Sequence, residues 1–419
     1  MDYNTSSVIN TSSSSNNITF RNDFVENEVT EALIGNTVLL VFFMLAGSFG
    51  NCVVLFVYKD YKFSGHKIDD RRFIPYLALV DFMACLTSCS QYLIENNYPL
   101  QYPGSFSCKV LSFTSTFPAS ISGLILLAIA FHRYKRVCNP FSRLNITQTQ
   151  TIAATAVFGF FISLPSLFLS DTASYYDSRY GILVRKCQRL SRVWKTTSSV
   201  YSCFLSALCV GGVAFIIITY SLVGVRIKRQ YRHAQSNVQM NQMHGLDEAS
   251  SDLTASNFSV SIFAVSNAGD HAKSPKSQST FYIDEAGVAP EVSSCNPSTH
   301  NTLDTAPRKK KKRLKQTKFI QRKRARFLRF TWMFVLMSGV YCLTILPRVI
   351  VRVLEMAIEK FWFILEQNSF VALTFLARIY IISFIVNPLI YGFFDNMFRK
   401  KCKKLFRICY CYRIGSTEL

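Results

Sequence analysis

Apolar residues gather into seven long blocks, near 33–58, 73–94, 108–131, 151–170, 198–225, 328–354 and 368–392, parted by short polar or basic connections and by one long polar insert before the sixth. A helix needs about 20 apolar residues to cross roughly 30 Å of hydrocarbon, so each block predicts one membrane-spanning helix. The seventh carries the most information. Its run from Ser369 to Ile385 flows into Asn387-Pro388-Leu389-Ile390-Tyr391 and then into a basic amphipathic stretch, Phe394 to Arg407. That order predicts a spanning helix, a polar break and a surface helix. A proline inside a spanning helix frees a backbone carbonyl that only protein or water can satisfy, so Asn387 and Tyr391 are expected to face an interior polar network instead of lipid.

The fold class this pattern predicts is an all-α membrane protein, a seven-transmembrane helix bundle with a short amphipathic eighth helix. Residues 1–32 read as a disordered, polar extracellular tail with glycosylation sequons at Asn4, Asn10 and Asn17. Spans one to five occupy 33–229, a disordered cytoplasmic third loop 230–314, spans six and seven 315–392, and the amphipathic helix and tail 393–419. Orientation follows from the cations, because short cytoplasmic loops retain Lys and Arg. Lys59, Lys62, Lys67, Arg71 and Arg72 follow the first span, Arg133, Lys135, Arg136 and Arg143 the third, and Arg399 to Arg407 the seventh. The N-terminus is therefore expected outside and the C-terminus inside. The opening residues are Ser/Asn-rich instead of basic then apolar, so the first span is expected to serve as insertion signal in place of a cleavable peptide. The flanks Arg226 to Arg232 and Lys315 to Arg329 carry cations at helical spacing, as if spans five and six continue into the cytosol.

Composition narrows the picture further. With 49% hydrophobic and 14% aromatic residues and a mean hydropathy of +0.19, the 419-residue chain is too apolar for one soluble domain. In a soluble protein a net charge of +22 would point to nucleic acid. Here the cations crowd the cytoplasmic segments, above all Arg308 to Arg329, and membrane lipid headgroups are the expected partner. Of 13 cysteines, most lie in spans or in the reducing cytosol. Cys108 and Cys187 fall on the oxidising side, and one disulfide is expected to tie the second outer loop over the bundle. Cys402, Cys409 and Cys411 read either as palmitoylation sites or as free cytosolic thiols.

Charged and amide residues inside the spans are the candidates for function. Arg133 ends the apolar run of the third span in His132-Arg133-Tyr134, where it is either a snorkelling anchor or a functional group. Asp81 lies mid-span in the second helix, where an ionised carboxylate costs on the order of 2.5–3.5 kcal/mol and needs partners. Asn51, Ser122, Ser383 and Asn387 fall at similar depth. They supply oxygens either to a small cation such as sodium, with Asp81 as the charged ligand, or to a buried hydrogen-bonded carboxylic acid without metal.

These residues, taken together, resemble the rhodopsin-like (class A) family of G protein-coupled receptors, over roughly 30–230 and 315–412. The carriers are Gly50-Asn51, Leu77-Ala78-Leu79-Val80-Asp81, Cys108 with Cys187, His132-Arg133-Tyr134, Tyr220, Pro347 and Asn387-Pro388-Leu389-Ile390-Tyr391. The resemblance implies a receptor and not an enzyme, partnered by an extracellular ligand and a heterotrimeric G protein. It implies that Arg133, with Tyr134, Tyr220 and Tyr391, forms a cytoplasmic switch, and that Asn51, Asp81, Ser122, Ser383 and Asn387 form a hinge. Departures from the family pattern are equally visible. His132 replaces the acid before the arginine, and Phe327 stands where an acidic latch partner is often seen. Ile345 replaces the aromatic toggle, Gly211-Gly212 the fifth-span proline, and the fourth span lacks tryptophan. The first two imply a loosely held inactive state with ligand-free signalling.

For the ligand, the third span offers no carboxylate between Cys108 and His132 to meet an amine, and the seventh offers no lysine for a retinal Schiff base. Arg348 and Arg352 share one helix face just outside Pro347, with Arg378, Lys109 and Ser115 as further candidates. The second outer loop adds Arg179, Arg185, Lys186, Arg189, Arg192 and Lys195. A cationic mouth favours a peptide with acidic groups, or a small anion. The structural alternative has Arg352 and Lys109 snorkelling and Arg348 paired with Glu355. The terminal Ser416-Thr417-Glu418-Leu419 fits strand addition to a PDZ domain or an inert tail. Two rival classes stand beside the receptor: a transporter or channel using Asp81 and Arg133 as permeation groups, though no internal repeat is visible, and a receptor-derived partner protein that no longer couples.

Overall fold

The computed structural model describes residues 24–59, 70–139, 147–177, 181–188, 195–247, 305–358 and 361–415. The sequons, Cys409 and Cys411 as side chains, and the last four residues lie outside what it describes. Seven helices are long and apolar enough to cross a membrane: Ile34–Lys59, Phe73–Asn97, Ser105–Cys138, Gln148–Leu169, Thr196–Gln230, Phe327–Ala357 and Gln367–Phe394. They are called the first to seventh helices below, and the basic helix Asn396–Gly415 the eighth. Each contains one of the seven apolar blocks.

The chain divides into two units, Met1–Gln230 with Lys323–Leu419, and Tyr231–Arg322. In the second unit helix runs on from the fifth span to Asp247 and resumes at Thr305. The loop expected to be structureless over 230–314 is thus entered by helix from both sides. Residues such as Gln239, Met240, Gln242 and Met243 are strong helix formers, and low hydrophobicity removed the core-facing stripe, not the propensity.

Two layers of core hold the bundle. Near the cytoplasmic end Val54, Tyr58, Leu77, Ile125, Ile129, Met333, Phe334, Tyr391 and Phe398 pack together, joining the first, second, third, sixth, seventh and eighth helices. Toward the outside Leu40, Cys85, Cys89, Tyr92, Tyr380 and Phe384 join the first, second and seventh. The fourth helix begins at a capping box of Thr147 and Gln150. Its Gly159 closes on Ile121 of the third helix so tightly that a Cβ there would meet the Ile121 side chain at 2.5 Å.

The polar break expected at Asn387-Pro388 falls instead at Asp395, between the seventh and eighth helices. The seventh helix is α-helical to Arg378, tightens to a 3-10 turn over Ile379–Ile381, and runs as α-helix straight through Pro388 to Phe394. The proline is tolerated because the carbonyl it orphans, four residues earlier on Phe384, accepts a hydrogen bond from Asn51 Nδ2 at 3.0 Å. Asn387 and Tyr391 are buried as expected, with 3% and 0% exposure.

Two outer elements were not anticipated. Residues 24–32, assigned to the polar tail, are helical. Val25 and Val29 form a stripe that packs on Leu100, Ile182 and Val184. The second outer loop is a hairpin, Asp171–Asp177 against Ile182–Gln188, antiparallel with Thr172 opposite Cys187. Arg185 exchanges backbone hydrogen bonds with Leu100 and Tyr102, and a Cys108–Cys187 disulfide ties the hairpin to the third helix.

The eighth helix is rooted by Asp395, which is fully buried. Its carboxylate accepts from Tyr58 Oη at 2.8 Å, from Arg71 Nε at 3.0 Å and Nη2 at 3.3 Å, and from the Met397 backbone N–H at 2.9 Å. One side chain thereby caps the eighth helix and clamps it to the first and second. Asp395→Ala leaves a charge and a hydroxyl without their acceptor. With Arg71 at 18% exposure, the expected cost is on the order of 2–3 kcal/mol, read as a lowered melting temperature of the purified protein that Asp395→Asn partly restores. Cys187→Ser is expected to speed amide exchange across Ile182–Gln188 about tenfold or more. Exchange within the third helix should not change.

Candidate functional site

Chemistry-bearing residues collect at three depths of the bundle. At mid-depth Asp81, fully buried, accepts from Ser122 Oγ at 2.7 Å and from Asn387 Nδ2 at 2.6 Å. The second, third and seventh helices thus meet at one carboxylate. The other two hinge candidates are used differently. Asn51 gives its amide to the Gly47 and Phe384 carbonyls, and Ser383 donates to the Tyr380 carbonyl at 2.7 Å. Asp81 is thus met by one hydroxyl and by the nitrogen of one amide, and its single negative charge is that of a site for a monovalent cation. Among the described residues no cluster of three His, Cys, Asp or Glu side chains exists.

At the cytoplasmic end Arg133 is 2% exposed. Its guanidinium carbon lies 4.7 Å from the ring centroid of Phe334 and 5.5 Å from that of Phe327. Arg136 covers the same Phe327 at 5.0 Å, and Arg71 lies over Phe330 at 4.8 Å. Phe327, Phe330 and Phe334 stand at i, i+3 and i+7, so one face of the sixth helix presents three rings to arginines of the third helix and of the 3-10 turn Asp70–Arg72 that leads into the second. The absence of acids at 132 and 327 therefore does not leave this end without attachment. Aromatic rings stand where the family often places carboxylates. His132 Nε2 lies 3.0 Å from Thr151 Oγ1 on the fourth helix, and its ring lies 5.3 Å from that of Phe73. Tyr220 and Tyr391 pack into the inner core; the Tyr220 hydroxyl faces Ser338, and the buried Tyr391 hydroxyl has no hydrogen-bond partner among the described residues. Tyr134 is half-buried at the next position. Cys402 packs on the inner core, and burial raises its thiol pKa.

At the outer end the candidate cations separate. Arg378 is well partnered: it donates to Asn36 and, at 2.6 Å, to Asn96, pairs with Glu95 at 3.4 Å and lies 4.7 Å from the Tyr92 ring. Glu95 in turn accepts from Gln91 at 2.9 Å, whose carbonyl takes the Ser115 hydroxyl at 2.5 Å. Ser115 and Arg378, both expected at the ligand, are thus the two ends of a polar belt running from the third helix to the first. Arg352 pairs with Glu355 at 2.9 Å, and Glu355 also accepts from Trp362 Nε1 at 2.6 Å. The structural alternative to ligand binding had Glu355 paired with Arg348, and it is Arg352 that takes it. Arg348 instead crosses to the second and seventh helices, donating to the Ala377 carbonyl at 3.2 Å and lying 4.8 Å from the Tyr380 ring and 5.6 Å from the Tyr92 ring.

Of the cationic mouth, Arg185 is exposed and Lys186 lies over Phe370 at 5.2 Å. Arg179, Arg189 and Arg192, and Lys195 as a side chain, lie outside the described residues. Lys109 faces Asp171 at 3.9 Å. Ser105, the Thr172 amide and Lys109 hold the Asp171 carboxyl below its usual pKa, against a partial desolvation that raises it. Sequence reasoning did not single out Asp395, Tyr92 or Glu95. Asp395 alone had a readable signal, an acid directly before a basic amphipathic helix.

Residues 50–391 match the family described as 7 transmembrane receptor (rhodopsin family). Among similar proteins, nematocin receptor 2 of Caenorhabditis elegans is 28% identical over 28% of this chain and 31% of its own length. The cholecystokinin receptor of Xenopus laevis is 26% identical over 48% and 44%. Neuropeptide FF receptor 2 of Rattus norvegicus is 23% identical over 54% and 56%. The chain therefore spans between about a third and about half of the length of these relatives. They are receptors and not enzymes. Because the family match runs from Gly50 in the first helix to Tyr391 in the seventh, and so takes in every helix that carries these sites, the chain belongs to the rhodopsin family of seven-transmembrane receptors.

Proposed function

We propose that this protein is a plasma-membrane receptor that binds an extracellular peptide and promotes nucleotide exchange on a heterotrimeric G protein. The observation that carries the reading is Arg133: a permanent cation buried at the inner end of the third helix and covered by rings of the sixth. A purely structural arginine at this depth would snorkel toward the lipid headgroups. Outward movement of the sixth helix would take Phe327 and Phe334 away from Arg133. It would open the inner end of the bundle to a partner and give the buried Tyr220 and Tyr391 hydroxyls new neighbours, which is the two-state element a ligand can bias. A peptide is favoured because three of the similar receptors are named for peptides. The disulfide-tied hairpin also offers Tyr176 and Arg185 at its exposed surface.

Subsidiary proposals follow from the same reading. Sodium at Asp81, Ser122 and Asn387 would bias the hinge. Acidic lipid headgroups would meet the exposed Arg399, Lys400, Lys403, Lys404 and Arg407 of the eighth helix. Acylation would fall on Cys409 and Cys411 before Cys402, glycans on Asn4, Asn10 and Asn17, and a PDZ domain on the terminal Leu419.

The test is ligand-free G protein dissociation in cells expressing the intact chain at matched surface levels. Arg133→Ala should reduce basal activity to background. Phe334→Ala should raise it about twofold to thirtyfold, since one cation–π contact contributes about 0.5–2 kcal/mol. Equal signals from all three chains, at background for every G protein, would contradict coupling and favour a non-coupling partner protein.

A further inference from the structure

Three arginines lie in the outer half of the bundle, on the sixth and seventh helices, and two carboxylates accompany them. Glu95 is taken by Arg378 and Glu355 by Arg352, at 3.4 Å and 2.9 Å. Arg348 is the cation left over. Among the described residues no carboxylate lies within ion-pair distance of it, and of its five N–H donors one is spent, on the Ala377 carbonyl. A guanidinium with open donors in low-dielectric surroundings is costly unless something compensates it. The Tyr380 ring, the Tyr92 ring that Arg378 also covers at 4.7 Å, and the longer-range charges of Glu95 and Glu355 do so in part.

We propose that Arg348 is the anion anchor of the extracellular ligand, and that the group it takes is a carboxylate. The proposal rests on the receptor reading and names the chemistry of its ligand. The Tyr92 and Tyr380 hydroxyls are 3.1 Å apart and share one hydrogen bond. One of the two protons is committed between them, and the other remains to donate. The site thus presents a planar fork carrying one positive charge, a spare hydroxyl proton, and two ring faces that exclude water. That donor set neutralises a monoanion and leaves a dianionic phosphate half-compensated. Arg348 follows Pro347 directly and reaches from the sixth helix to the seventh, where the Ala377 carbonyl it holds lies two residues before the 3-10 turn. A carboxylate that takes the fork therefore acts on the contact joining these two helices. Arg378 holds the polar belt together, and Arg352 belongs to the rim with Glu355 and Trp362.

The experiment measures melting of the purified full chain in lipid nanodiscs against five probes: N-acetylphenylalanine and its amide, benzoate and benzamide, and phenyl phosphate. The carboxylates should raise the melting temperature with saturation, the amides should not, and the phosphate should bind at least several-fold more weakly. Arg348→Gln should cost tenfold or more in apparent affinity for the carboxylates, while Arg352→Gln keeps it within about twofold. Arg348→Lys retains the charge but loses the fork, so it should bind at intermediate affinity; it serves as the readout should Arg348→Gln not fold. N-acetylphenylalanine acting alone places the carboxylate on a peptide terminus, and benzoate acting equally well places it on a small acid; both support the anchor. Equal shifts from acids and amides, no shift from any probe, or carboxylate binding that survives Arg348→Gln would overturn it. The measurement involves no G protein, so failure of coupling and failure of the anchor are separately visible.

Discussion

A charge or an unmet carbonyl inside a bilayer has no water to turn to, and nearly every feature of this bundle answers that constraint. The backbone comes first. Pro388 removes the donor owed to the Phe384 carbonyl, and Asn51 on the first helix supplies it from across the interface. A sequence defect in one helix thereby becomes a fixed contact with another. Asp81 shows the same logic for a side chain, since its carboxylate is met from two other helices by Ser122 and Asn387. At the cytoplasmic surface Asp395 gathers Tyr58, Arg71 and the first turn of the eighth helix.

Where carboxylates run out, aromatic rings take over. Arg133, Arg136 and Arg71 lie on Phe334, Phe327 and Phe330 at the inner end of the sixth helix, and Arg348 lies on Tyr380 and Tyr92 at its outer end. Both ends of one helix are thus held by cation–π contacts. Such contacts are weaker than a desolvated ion pair and tolerate sliding, because a ring face offers a broad minimum. A helix secured this way has discrete neighbours on either side without a buried ion pair to break. The polar belt from Ser115 through Gln91 and Glu95 to Arg378 sits among the first, second, third and seventh helices. It forms a comparatively fixed frame against which the sixth can move.

Much of this was legible beforehand, for a reason specific to membranes. Twenty apolar residues in a row have few folded alternatives, so the seven spans could be read directly, as could the interior placement of Asn387 and Tyr391. Cys108 and Cys187 were readable because compartment leaves cysteines few ways to pair. Partnering in space was not. Nothing in the spacing of Arg348, Arg352 and Glu355 says which arginine takes the acid, because i, i+3 and i, i+7 both lie on one helix face. That Arg378 meets Asn36 and Asn96 depends on a three-helix junction. The hairpin at Asp171–Gln188 was obscured by charge, although Gly181 before Ile182-Leu183-Val184 is a strand-start signal. The missing acids at 132 and 327 invited the expectation of a loose inner end, because an absent carboxylate is visible in a sequence and a compensating ring on the next turn is easily taken for packing.

The sixth helix is held at its inner end by arginine–ring contacts and not by packing volume alone. Pulsed electron–electron distance measurement between spin labels at the exposed Asn139 and Arg329 tests it directly, in the parent chain and in one carrying Phe327, Phe330 and Phe334 all changed to Leu. Leucine keeps the site apolar and removes the ring quadrupole. A longer-distance population, minor in the parent, should become prominent in the leucine chain without ligand. An unchanged distribution would show that apolar packing suffices and that the arginines are held by something else.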